Sequence, residues 1–185
     1  MNRTISPQNT TRHFLPADFS LSTWDSVKPY FDQLSEVTIH SAEDLRAFCG
    51  QRSELESYLS ENFAWRYIKM TCDTANKTIK ANYDQFVTEI QPKLSEYDDI
   101  LNKKVLESHY LDNLQGKGYE IAIKGMKIST EIFRTDNIPL YTEIQHLSSE
   151  YQATIGAMTV EVDDKTITLQ QAGVFLESAD REKRE

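Results

Sequence analysis

The stretch Tyr83–Val105, YDQFVTEIQPKLSEYDDILNKKV, decides the fold class of this 185-residue chain. Its apolar positions Tyr83, Val87, Ile90, Leu94, Tyr97, Leu101 and Val105 follow one another at steps of 4, 3, 4, 3, 4 and 4 residues. Such steps stack side chains on one face of an α-helix. The regularity reads as the core seam of a helical bundle rather than an intermolecular coiled coil. Pro92 interrupts it. A proline inside a helix lacks one amide hydrogen and costs on the order of 3 kcal/mol, unless it stands in the first turn. The stretch is therefore either one kinked helix or two helices meeting at Gln91-Pro92.

Toward the amino terminus the same period returns. Leu55, Tyr58, Leu59, Phe63, Tyr67 and Met70 form a second stripe, with Glu54, Glu56, Glu61 and Lys69 largely on other faces. Trp65, Ile68 and Cys72 lie off that stripe, which predicts a central helix buried on more than one side. Before it, Ser41 with Asp44 is a capping signal for a helix that turns Leu45 and Phe48 inward. Gly50 reads as a break or a point of close packing. Trp24, Val27, Tyr30, Phe31 and Leu34 mark a first helix, with Ser22 or Thr23 at its N-cap and Pro29 inside it. Residues 1–12 are polar and read as a flexible tail, and residues 13–185 as a single helical domain.

Beyond Val105, Ser108–Gly118 reads as a loop or short helix. Gly116-Lys117 is not a phosphate loop, because the upstream glycine and the downstream Ser/Thr are absent. Ile121, Met126, Ile128, Ile132 and Phe133 mark another helix. Pro139 opens a further one through Tyr141, Ile144, Leu147 and Tyr151. Then the period changes from helical to alternating. MTVEV (158–162) and TITL (166–169) flank Asp163-Asp164-Lys165, a hairpin signal. Helix resumes at Gln170–Leu176, and Ser178 or Asp180 offers an N-cap for a helix that the chain starts and then leaves at Glu185, as a truncated polypeptide would. The expected architecture is mainly α: a multi-helix, bundle-like domain of about six or seven helices with one small β-hairpin near residues 158–169.

Composition narrows the function classes. A net charge of −9 repels a phosphate backbone, which disfavours nucleic acid, and it disfavours binding to an anionic membrane surface as well. No apolar run reaches the roughly 20 residues needed to span a bilayer, and MNRTISPQNTTRHFLP has no signal-peptide core. The two cysteines, Cys49 and Cys72, do not make a disulfide framework and read as buried or half-buried thiols, from which a cytoplasmic location is expected. His13, His40, His109 and His146 show no metal-ligand spacing, and each reads as a surface or turn residue. Neither GxSxG nor GxGxxG occurs. No catalytic residue and no metal ligand is assigned within the chain.

Three stretches, AWRYIKMTCDT (64–74), FRTDNIPL (133–140) and IGAMTVEVDDKTITLQQAGVF (155–175), carry a resemblance, with echoes in RSELESYL (52–59) and FVTEIQP (86–92). The chain resembles the amino-terminal, helical and non-catalytic region of bacterial oligoendopeptidase F and thimet-oligopeptidase-like zinc metallopeptidases. Such enzymes hold zinc with an HExxH helix, and no HExxH occurs here. The resemblance implies that the zinc and its ligands belong to a carboxy-terminal catalytic domain of the same polypeptide, absent from these 185 residues. It implies that this region walls a channel admitting short peptides, is inactive alone, and can self-associate through an uncovered apolar face. Trp65, Arg66, Tyr67 and Asp73 stand in the best-matching stretch and are expected to face the catalytic domain or the channel. The plainer alternative makes Trp65 and Tyr67 core residues and Arg66 and Asp73 surface charges or a local ion pair. A second class of function, a stand-alone non-enzymatic helical interaction module, predicts a sealed core instead.

Overall fold

A computed structural model describes residues 12–182. Two long antiparallel helical rods form its spine. The first is α2, Ala42–Cys72, with no interruption. The second joins α3 (Lys77–Gln85), a π-helical turn (Phe86–Ile90) and α4 (Gln91–Leu106) into one rod. Across the spine lie α1 (Trp24–Glu36), α5 (Lys117–Ile132) and α6 (Asn137–Ala157). A hairpin of β1 (Thr159–Val162) and β2 (Lys165–Thr168) and a last helix, α7 (Leu169–Leu176), complete the described chain. The mainly α architecture with one hairpin is as the periodicity predicts. The expectation for residues 1–12 falls, apart from Arg12, outside the described residues.

The spine shows how Pro92 is accommodated. Proline cannot donate to the carbonyl four residues back, and its ring crowds that carbonyl. The preceding turn is widened to π geometry, with the Gln91 N–H donating to the Phe86 carbonyl, and Pro92 falls in the first turn of α4. Of the two alternatives at Gln91-Pro92, the single long helix is the one found, carried past the proline by a local extra residue. The widened turn keeps Tyr83, Phe86, Val87 and Ile90 buried on one side and Leu101 and Val105 below them. Phe86, Ile90, Leu101 and Val105 meet Leu45, Phe48, Leu55 and Leu59 from α2 and Val27, Phe31 and Leu34 from α1, whereas Tyr83 and Val87 pack with Met70 in a second, smaller cluster.

Helix α1 is tied to α4 by rings. Trp24 and Phe31 both pack on Tyr97, whose hydroxyl donates to Asp32. Ser41 caps α2 by accepting from the Asp44 amide, and Asp44 accepts in return from the His40 amide. Gly50 neither breaks α2 nor packs closely. It sits in an unbroken helix, and a Cβ built there would meet nothing within 4 Å. Gly50→Ala is accordingly expected to stabilise the fold by about 0.5–1 kcal/mol, the helix-interior difference between the two residues. Thermal denaturation of the variant checks this, with a rise in Tm of a few degrees expected.

The segment before α1 is a strap held from beneath by α2. Backbone amides of His13, Phe14 and Leu15 all donate to the Glu54 carboxylate. One turn further along, the Tyr58 hydroxyl receives the Leu21 amide and donates to the Phe19 carbonyl. Arg12 lies over the Tyr58 ring, and Leu15 and Leu21 are buried.

Gly116 enters α5 at φ 110°, left-handed backbone that suits glycine, and it caps the helix rather than cradling a phosphate. The hairpin turn is two residues long. Asp163 and Asp164 both take positive φ, 51° and 60°, as a type I′ turn demands. Val162 pairs with Lys165, which moves that lysine from the expected turn into the strand. Thr168 and Gln171 form a capping box that starts α7 at Leu169. No helix is assigned at Ser178 or Asp180 within the described residues, although the Asp180 carboxylate accepts from the Glu182 amide in a cap-like turn.

Candidate functional site

The carboxy-terminal half of α2 leaves the core that its first half enters. Leu55, Leu59 and Met70 stay buried, but Trp65 is 54% exposed, and Tyr67, Ile68 and Cys72 are exposed too. That half of α2 is thus open among the described residues on the side of Trp65, Ile68 and Cys72, contrary to the burial on more than one side that these residues predict. Arg66 reaches across to α3, where its Nη1 donates to the Asn82 carbonyl at 2.6 Å and its guanidinium stands 5.7 Å from the Phe86 ring centre. The Tyr67 ring touches Tyr83, with centroids 6.1 Å apart. Asp73 caps the helix end and accepts from Asn76. These four residues therefore sit on one exposed helix end. Of the plainer alternative, the core position for Trp65 fails, and Arg66 is engaged with a carbonyl rather than with Asp73.

Helix α6 is built inside out. The residues toward the spine are small or polar: Gln145 accepts from the Tyr83 hydroxyl, His146 Nδ1 lies 3.8 Å from Asp84, and the buried Ser149 meets the Met70 sulfur. Its apolar stripe, Leu140, Tyr141, Ile144, Leu147 and Tyr151, points away and is 53–63% exposed. Helix α5 repeats the pattern in part. Ile123 and Met126 pack on the core, whereas Ile121, Ile128 and Ile132 are 49–66% exposed. The stripe that reveals α6, and Ile121, Ile128 and Ile132 of the one that reveals α5, face away from the core. A period marks that a helix has an apolar face, but it does not say which neighbour covers it. Exposed apolar stripes of this size mark interaction surfaces.

Between α2, α4 and α5 lies a polar cleft of about 590 Å³. Arg52 is buried in its wall, bonded through Nε to Glu56 and with Nη2 4.0 Å from Asp98. Its Nη1 has no partner among the described residues. Burial first, then the neighbouring Glu56, push the Asp98 carboxyl up to about 6, and Arg52 offsets this only in part. No local motif announces the group, since α2 and α4 bring its members together only on folding.

The rise has a definite sign for stability. An acid whose pKa is higher folded than unfolded takes up protons on folding, so the contribution of Asp98 to stability is greatest below about pH 4 and falls as pH rises to about 6. A two-unit rise corresponds to roughly 2.7 kcal/mol. Half of the Asp98 side chain is open to the cleft, and solvent screening reduces this to about 1 kcal/mol. Asp98→Asn is expected to raise Tm at pH 7 by a few degrees and to flatten the loss of stability between pH 4 and 6. Denaturation at a series of pH values checks both.

The four histidines do not converge. Among the described residues no group of three or more His, Cys, Asp or Glu is placed to hold a metal ion. No described helix is long and apolar enough to cross a membrane. Cys49 is a half-buried free thiol whose pKa is raised by burial, and Cys72 is free and exposed rather than buried.

Against this geometry, the family model described as the peptidase M3 N-terminal domain matches residues 14–133. The chain belongs to the peptidase M3 N-terminal domain family. The matched region of this M3 domain opens with the strap, contains the whole spine and closes just after α5. Helix α6, the hairpin and α7 follow it. No curated protein and no solved structure matches the chain significantly.

Proposed function

We propose that this chain is the helical domain preceding the catalytic domain of an intracellular zinc oligoendopeptidase, whose parent hydrolyses short peptides. In this reading zinc is held by an HExxH helix of the following domain, and the chain alone hydrolyses nothing. The catalytic domain covers the outer faces of α5 and α6, while the exposed end of α2 with Trp65, Arg66, Tyr67 and Asp73 faces the peptide channel.

The observation that carries this reading is the reversal of α6. A helix that turns Ser149, Gln145 and His146 toward its own domain and five large apolar side chains toward water lacks part of its core. A self-sufficient interaction module would have sealed that face. Membership of the M3 N-terminal family supports a following peptidase domain as the partner of that face. The chain's part in catalysis is then positional: it closes one side of a compartment, excludes water and limits the substrate by size, while the metal supplies Lewis-acid activation of water when bound in the other domain.

The test compares the isolated chain with the polypeptide extended through the following domain. Amides of α5 and α6 are expected to gain hydrogen-exchange protection in the longer protein, which should hold about one zinc ion per chain and cleave a short fluorogenic peptide. Unchanged exchange in α5 and α6 would sink the docking assignment, and a longer protein without zinc would sink the peptidase reading.

A further inference from the structure

The cleft beneath α5 contains an imbalance that the fold does not need. The Arg52 guanidinium is at least nine-tenths buried and lines the cleft, yet among the described residues only its Nε makes a hydrogen bond, and Nη1 has no acceptor. Two carboxylates, Glu56 and Asp98, flank it, so the trio carries one negative charge in excess when both are ionised. Gln91, on the α4 wall, has a buried side-chain oxygen with no donor among the described residues. The rest of the lining mixes polar Ser60, Ser95 and Asn102 with apolar Leu59, Phe63 and Met126. Helix α5 contributes no charge to it: its lining residues are Ala122, Gly125, Met126 and Ser129.

We propose that this cleft binds a basic residue of a peptide, seating its ammonium or guanidinium between Glu56 and Asp98 with its carbonyl turned to Arg52. The chemistry of each wall selects that occupant. An excess carboxylate and an unused amide oxygen call for a cation that donates hydrogen bonds. An orphan guanidinium N–H calls for a neutral acceptor, since another carboxylate would be repelled by the acids beside it. The apolar lining suits the methylene stem of lysine or arginine. The volume admits one such residue, and the chain's net charge of −9 draws cations toward it. The inference does not depend on the peptidase reading, because it concerns only groups within this chain.

The experiment is an NMR titration of the 185-residue chain, labelled with nitrogen-15, at pH 7.5. The probes are Nα-acetyl-lysine methylamide, its arginine counterpart, and the norleucine and glutamate analogues as controls. Saturable shifts confined to residues 52–63, 91–102 and 122–129 are expected with the basic probes, with the norleucine probe about tenfold weaker and the glutamate probe silent. Asp98→Asn, checked by circular dichroism for an intact fold, is expected to weaken lysine binding about tenfold. Equal shifts from norleucine would reduce the cleft to an apolar groove. No saturable shift, or an Asp98→Asn variant that binds unchanged, would leave it a hydrated gap and overturn the proposal. Lysine binding by a chain whose α5 and α6 gain no protection in the extended protein would keep this inference and remove only the docking.

Discussion

Ile144→Lys combined with Leu147→Lys is expected to leave the isolated chain folded and to abolish its assembly with the catalytic domain. Both side chains lie on the outer face of α6, more than half exposed, so lysine there removes little internal contact. Lysine is also a slightly better helix former than isoleucine, and Tm should hold to within a degree or two. At an interface the same change places two charges in a desolvated apolar surface, each costing several kcal/mol. Affinity for a separately produced catalytic domain should fall by at least about a hundredfold, measured by calorimetry. If the isolated chain self-associates through this face, sedimentation should show the variant as a monomer. The contrasting change is Ser149→Lys. That residue is 3% exposed against Met70, and a lysine there would destabilise the isolated chain by about 3 kcal/mol or more. A double variant that unfolds, or a Ser149 variant that does not, would mean that α6 packs with its other face inward.

Glu54→Ala is expected to be the most damaging single change away from the core. Its carboxylate receives three consecutive backbone amides, His13, Phe14 and Leu15. Burial opposes its ionisation, but the donors of Leu15, His13 and Phe14 outweigh that and hold its pKa below the ordinary value of 4.5. Hydrogen bonds to a charged acceptor contribute about 1.5–3 kcal/mol each when fully formed. Partial exposure and local fraying bring the expected loss to about 2 kcal/mol, measured by urea denaturation at pH 7. Because the folded pKa is depressed, the contribution is complete above about pH 4.5 and is lost as pH falls through the folded value. The wild-type chain should therefore lose stability on acidification through that range, and Glu54→Ala should lack this part of the acid limb. Hydrogen exchange should show residues 13–21 opening first in the variant, with Leu15 and Leu21 leaving their pockets.

The two expectations differ in how far the sequence could have supplied them. The Ser41–Asp44 cap, the stripe at Leu55, Leu59 and Met70, and the alternation on either side of Asp163-Asp164 are local patterns, and each element they predict is present. Local rules suffice there because helix periodicity, caps and tight turns involve residues within a few positions of one another. Pro92 was legible as a problem but not as its solution, since a π turn depends on what the widened backbone can bury around Phe86 and Ile90. Gly50 misled because glycine's cost in a helix is small beside the burial on both sides of it.

By itself the sequence determined that this protein is helical, where most of its helices lie, that a hairpin interrupts them, and which peptidase family the stretch around Trp65 resembles. Only the tertiary structure decided which way the helices face. It turned the apolar stripes of α5 and α6 outward, left Trp65 in solvent and joined Arg52 to Asp98 across two helices. The reason is physical. An amphipathic pattern records that one face of a helix is to be buried, whereas the identity of the burying surface depends on elements distant in the chain and, for α6, is not supplied by the described residues.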